Sequence, residues 1–194
     1  MSKISWKGGA LLAPLPPALV TCGTIENPNI LTIGWTGILN TIPPKTYISV
    51  RPSRHSYEMI KQGGDFVINL STTQLVRAVD YCGVKSGANT DKFADMNLSL
   101  SPAQNVSSPI LNESPVNIEC KVFDVISLGS HDMFMADIIS VNVDEKFIDE
   151  KGRLCLEKCG LLAYAHGEYF ELGKKLGHFG YSVKKKKKRK PKKK

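Results

Sequence analysis

Residues 30–58 read ILTIGWTGILNTIPPKTYISVRPSRHSYE, and the rest of the chain can be placed from this stretch. It is read as strand, loop, strand and then the start of a helix over 54–62. Ser53 is the expected N-cap, and Gly63-Gly64 end the helix. A helix N-terminus carries partial positive charge and unpaired N–H groups, so acidic residues belong there. Arg51, Arg54 and His55 crowd it instead. An anion bound by helix N–H groups, the Ser53 and Ser56 hydroxyls and the arginine forks resolves this conflict. The alternative is a solvated, slightly unfavourable cap. The preceding loop, residues 34–41, mixes two glycines with hydroxyls and an amide, and Pro43-Pro44 then forbid a helix. Such a loop brings backbone donors close to a flat polar ligand.

Working outward, 194 residues suffice for one substantial core, and 42% hydrophobic with 23% charged residues is ordinary for a globular domain. The net charge of +8 is misleading. Residues 184–194, KKKKKRKPKKK, hold nine Lys and one Arg, and without these ten the 26 basic residues fall to 16 against 18 acidic ones. The high pI therefore describes a tail and not the fold. The five cysteines (Cys22, Cys82, Cys120, Cys155, Cys159) are odd in number and scattered, and they read as reduced thiols of a cytoplasmic protein. The apolar run at 10–20 is broken by Pro14, Pro16 and Pro17 and lacks a cleavage signature, so it is not read as a secretory signal. No apolar run is long enough to span a bilayer.

In chain order, residues 1–16 are an irregular lead-in. Strands are expected at 18–24, 30–35, 46–51 and 65–70, and a second helix at 73–81 is capped by Ser71 or Thr72. A glycine-containing loop covers 82–91, a helical turn 92–96, and proline-punctuated loop 97–115. Residues 116–128 and 131–143 form a long hairpin around Gly129-Ser130, and 167–172 is a last strand. Local reversals and few helices favour an antiparallel barrel over a doubly wound sheet.

No dinucleotide fingerprint, P-loop, H-E-x-x-H or G-x-S-x-G motif occurs. Cys155-x3-Cys159 near His166 and His178 is the one candidate zinc pattern. It lacks a second cysteine pair, and a short turn with two core thiols is preferred, so no metal is expected. His131, at the hairpin tip, is either a surface hydrogen-bonding residue or a donor beside a bound ring. Lys85-Ser86-Gly87 and Lys92-Phe93 are placed to close over an anionic or aromatic ligand.

Five segments carry a resemblance in the right order: GWTGILNTIPPKTYISVRPSRHSYEMI, DFVINLST, CGVKSGANTDKF, GSHDMFMADI and GEYFELGKKLGHFGYSV. Together they resemble the flavin-reductase-like FMN-binding split-barrel family, with flavoredoxin-type members the nearest match, over about residues 10–183. The resemblance implies a mainly β domain over 1–183, a six-stranded antiparallel Greek-key split barrel with a few flanking helices. It also implies a homodimer with FMN near the subunit interface. Trp35, Thr36, Gly37, Ile38, Leu39 and Asn40 would line the isoalloxazine through backbone groups. Arg51, Ser53, Arg54, His55 and Ser56 would surround the phosphate, with Ser86 and Lys92 closing over the cofactor. His131 would lie by the ring as the catalytic group, and Ser130 stands where the broader family often has Asp. The implied activity is FMN-dependent electron transfer from NAD(P)H or another reduced carrier, such as a carrier protein. A non-enzymatic flavin carrier or redox sensor is the alternative. A further alternative is a nucleic-acid-associated protein acting through the tail, residues 184–194. That tail reads as disordered, with non-specific attraction to nucleic acid or an anionic surface.

Overall fold

The computed structural model describes residues 1–184; the tail expected at 184–194 therefore lies, Lys184 apart, outside the described residues. Strands β1 (Ala18–Gly23), β2 (Pro28–Ile33), β3 (Thr36–Thr41) and β4 (Pro44–Val50) lead into helix α1 (His55–Gly63) and strand β5 (Asp65–Leu70). Helices α2 (Val76–Val84) and α3 (Lys92–Met96) follow, then the short pair β6 (Leu100–Ser101) and β7 (Ile110–Leu111). The long hairpin β8 (Val116–Ser127) and β9 (Asp132–Val143) and the small hairpin β10 (Leu162–Ala165) and β11 (Glu168–Glu171) complete the order.

One antiparallel sheet runs β2-β1-β5-β8-β9-β4-β3, seven strands where six were expected. The extra strand is the segment read from sequence as a loop. Residues 36–41 pair with β4, with a register shift between Ile38 and Asn40, and Asn40 Nδ2 donates to the Pro43 carbonyl across the turn. Gly37 belongs there because Tyr47 lies against it: an added Cβ would come 3.2 Å from the Tyr47 ring.

Strand β1 shows why the fold has two cores. Ala18, Val20 and Cys22 pack inward with Ile48, Val50, Ile60, Phe66 and Phe134, whereas Leu19 faces Leu75, Ala78, Val79 and Cys82 of the α2 side. Alternation sends successive side chains to opposite faces, so a strand buried from Ala18 to Cys22 is covered on both. Helix α1 closes one end of the first core through Tyr57 and Ile60 and stops at Gly64, which takes the left-handed conformation (φ 70°) with its N–H on the Ile60 carbonyl. Its N-cap is Arg54, not the expected Ser53. Arg54 carries the extended backbone of a cap and offers no side-chain acceptor.

The second helix also begins differently. A 3-10 turn at Thr73–Leu75 precedes α2, and among the described residues Thr72 makes no side-chain cap bond and the buried Ser71 hydroxyl has no partner. Residues 162–165 form β10, which sequence patterning did not separate from its surroundings. Its outer partner is the lead-in, where Leu15 and Tyr164 exchange two backbone hydrogen bonds of 2.8 Å. All five cysteines are free and buried, and Cys155 and Cys159 flank a 3-10 turn. No described helix is long and apolar enough to cross a membrane. Among the described residues, no group of three or more His, Cys, Asp or Glu side chains is placed to hold a metal ion.

Candidate functional site

The turn from β4 into α1 delivers Arg51, Ser53, Arg54, His55 and Ser56 into one cleft of about 210 Å³. Loop 85–87 and α3 supply its other wall, bringing Lys85, Ser86 and Lys92 opposite the arginines. No carboxylate among the described residues lines this cleft. Among the described residues Arg51, Arg54 and Lys92 also take part in no ion pair. A helix start without a side-chain cap, surrounded by cations, is an anion-binding geometry.

Lys92 is the least ordinary member. Its side chain is buried, and its ammonium donates to the Ile30 carbonyl at 2.7 Å and the Cys82 carbonyl at 3.2 Å. Burial pulls its pKa below the usual lysine value, and nearby Arg54 adds to that, while Cys82 and Cys22 oppose it. Ser56 is also buried, and its hydroxyl accepts a 2.7 Å hydrogen bond from Asn29 Nδ2. Loop 85–87 reaches this floor only because residue 87 is glycine: a Cβ there would collide with the Asn29 side-chain oxygen.

A second cavity of about 360 Å³ adjoins the cleft and shares Leu31, Thr32, Arg51, Arg54 and Gly83 with it. Trp35 and His131 form one side of this chamber, with ring centroids 4.5 Å apart and planes inclined by 41°. His131 Nδ1 lies 3.0 Å from Ser130 Oγ. Burial lowers the His131 pKa, and Arg51 and Arg54 lower it further, which favours the neutral imidazole. Tyr164 and Tyr169 line the other side, where the Tyr169 hydroxyl donates to Asp80 at 3.3 Å. Flat walls and a cationic exit suit a planar aromatic carrying an anionic group.

Trp35, Arg51, Ser53, Arg54, His55, Ser56, Ser86, Lys92 and His131 are thus brought together around two joined cavities. Thr36, Gly37, Ile38, Leu39 and Asn40 line neither one. The Thr36 hydroxyl donates to the Tyr47 carbonyl, and Ile38 and Leu39 are exposed on the outer strand. Sequence reading missed Asn29, Thr32, Asp80, Tyr164 and Tyr169. Asn29 was absorbed into a turn, and the tyrosines come from a hairpin of which only one strand was expected.

The family model for the flavin reductase like domain matches residues 12–173. The chain belongs to this family. A solved structure of flavoredoxin from Desulfovibrio vulgaris (Miyazaki F) is 32% identical and covers 94% of this chain and 100% of its own, with a TM-score of 0.87. The FMN-binding protein from Thermus thermophilus, solved with bound 1-cyclohex-2-enone, is 25% identical over 87% of this chain and 96% of its own, with a TM-score of 0.74. An uncharacterized protein of Archaeoglobus fulgidus is 31% identical over 140 residues, 72% of this chain and 78% of that protein. The mainly β split-barrel fold expected from the sequence is the fold of this flavin-reductase-like chain.

Proposed function

We propose that this flavin-reductase-like protein is an FMN-dependent oxidoreductase that works as a homodimer and takes electrons from NAD(P)H or a reduced carrier protein. The observation that carries this reading is the pairing of an aromatic chamber with a cationic cleft through shared Arg51 and Arg54. Their chemistry fits the two halves of FMN, a planar ring and a terminal phosphate. Arg51, Arg54, His55 and Lys92 supply charge to the phosphate, and Ser53, Ser56 and Ser86 supply hydroxyls. Trp35 and His131 hold the ring side. Bound FMN supplies the electron-accepting ring, since the described residues offer no equivalent redox group.

Protein groups orient and polarise. His131, biased to the neutral form, offers a ring nitrogen to a donor or to the flavin edge. Strand β3 is the outermost strand of the sheet, so residues 36–40 keep a backbone edge that no other described strand covers. In the dimer that edge, with exposed Ile38, Leu39 and Ile42, meets the second copy and presents N–H groups to the pyrimidine side of the ring. Five buried free thiols agree with a cytoplasmic location.

The visible spectrum of the purified protein, with mass spectrometry of the released chromophore, tests the cofactor. Absorption bands of an oxidised flavin and the mass of FMN are expected; a protein that neither carries nor takes up a flavin contradicts the reading. Turnover with NADH or NADPH then separates a reductase from a carrier, which would bind FMN without steady-state consumption of either donor.

A further inference from the structure

Adjoining the cationic cleft, and sharing no lining residue with the aromatic chamber, is another cavity of about 550 Å³, whose own lining includes Phe93, Leu98 and Leu100. Only Asn29, Gly87 and Lys92 face both the cleft and this cavity. All three are fixed in place. Asn29 sits on β2 opposite Cys22 in the sheet register, is 5% exposed, and donates through its amide to Ser56 Oγ at 2.7 Å. Gly87 lies so close to the Asn29 side chain that a Cβ would overlap it. Lys92 is 3% exposed, with its ammonium between the carbonyls of Ile30 and Cys82. The three make a partition held by the Asn29 amide on Ser56, the Lys92 ammonium on two backbone carbonyls, and the close approach of Gly87 to Asn29.

We propose that Asn29, backed by Gly87 and Lys92, makes this site select the mononucleotide FMN over the dinucleotide FAD. The proposal rests on the flavin reading above. With a flavin phosphate at the start of α1, the chain of FAD continues into a second phosphate and an adenosine. The volume and aromatic surface that would receive an adenine lie behind the partition, around Phe93. The alternative route leads back to solvent, where the second phosphate gains none of the cleft's donors. The phosphates also differ in kind. The FMN phosphate is a monoester with up to two negative charges and three terminal oxygens, whereas the phosphate of FAD nearest the flavin has one charge and two. Charge-assisted hydrogen bonds in the cleft are therefore fewer and weaker for FAD.

The test is a competition. Full-length protein is equilibrated with equal concentrations of FMN and FAD, separated from free flavin, and its bound flavin quantified by chromatography. The wild type should hold FMN over FAD by at least about tenfold, roughly one decade of relative affinity. Asn29→Ala removes the side chain that closes the partition and should bring that ratio down by about a decade toward parity. Because Ser56 also loses its partner, the ratio and not either affinity is the readout. Asn29→Ser, which keeps a small hydroxyl near Ser56, should lower the ratio in the same direction and serves if the alanine variant does not fold. Near-equal FMN and FAD on the wild type, or an unchanged ratio in the folded variants, overturns the partition while leaving the flavin site intact. A wild type that holds neither flavin overturns the flavin reading itself.

Discussion

His131 is held in place by its immediate neighbours. Its ring packs on Trp35, its Nδ1 meets the Ser130 hydroxyl, and burial together with Arg51 and Arg54 favours the uncharged form. The following residue, Asp132, is fixed by hydroxyls of Tyr57 at 2.5 Å and Ser127 at 2.9 Å. Those bonds hold the Asp132 carboxyl below its ordinary range and push the Tyr57 hydroxyl up to about 12. The Tyr57 bond also ties α1, at whose start the cationic cleft lies, to the first residue of β9, next to His131. Replacing His131 with Ala should therefore leave FMN bound but slow flavin reduction by roughly ten- to a hundredfold, the loss expected for one orienting proton-bearing group. Stopped-flow reduction at pH 7 measures this, and an unchanged rate would make His131 a surface residue only. Burial pushes the Cys22 and Cys120 thiols up to about 12, far from the reactive thiolate range.

At the scale of elements, two carboxylates hold the long connection between β6 and β7. Asp65 accepts from the backbone N–H groups of Ser107 and Ser108, and Glu119 accepts from those of Gln104 and Asn105 and from Asn142 Nδ2. The Glu119 side chain is fully buried. Burial alone would raise its pKa, but these donors outweigh it and hold the carboxyl below the usual range. A depressed folded-state pKa means that this stabilisation is present above the unfolded value, near 4.3, and is lost as pH falls through the folded one. Glu119→Gln sets an amide donor against existing donors and should cost about 1–3 kcal/mol at pH 7. The gap to wild type should narrow as pH falls below about 4.3, where the unfolded wild-type chain begins to take up the proton that the folded Glu119 still excludes. Urea unfolding at several pH values checks this; a gap independent of pH would mean that Glu119 contributes through shape alone.

What the sequence revealed about these elements follows from where their partners lie. The β8–β9 hairpin was legible because its turn and its alternation are local, and so was the end of α1, where Gly64 supplies the left-handed cap. Strand β3 was not. Its glycines and polar residues look like loop, and only pairing with β4 makes it a strand. Strand β10 pairs locally with β11, but its outer bridge is to Leu15, far away in sequence, and the cap at Arg54 is an arginine where short acceptors are favoured. The cationic cluster was readable because misplaced charges stand out in a string of letters. The tyrosines and Asn29 were not, since the fold assembles them from separate hairpins.

For the whole molecule, positive charge is concentrated in two stretches of the chain. The folded body is near neutral by composition, yet its cleft gathers Arg51, Arg54, His55, Lys85 and Lys92. Residues 184–194 carry ten further cations. Ending the chain at Val183 should preserve flavin content while sharply reducing retention on heparin, because up to about ten phosphate-like contacts and their steep salt dependence are removed. Loss of flavin on truncation would show that the tail serves the site.

The cleft itself is tested by a ligand that lacks the anion. Riboflavin carries the same ring as FMN without the phosphate, so it fills the chamber and leaves the cations unmatched. Charged hydrogen bonds contribute about 1.5–3 kcal/mol each, and one or two surviving desolvation give a preference for FMN of roughly 10- to 1,000-fold. Fluorescence-quenching titration of the flavin-stripped full-length protein with both ligands measures that preference. It should shrink as salt is added, and Arg54→Ala should remove much of it while leaving riboflavin affinity nearly unchanged. Equal affinities for FMN and riboflavin would mean that the cations at the start of α1 are merely solvated, contradicting the phosphate site on which this account rests.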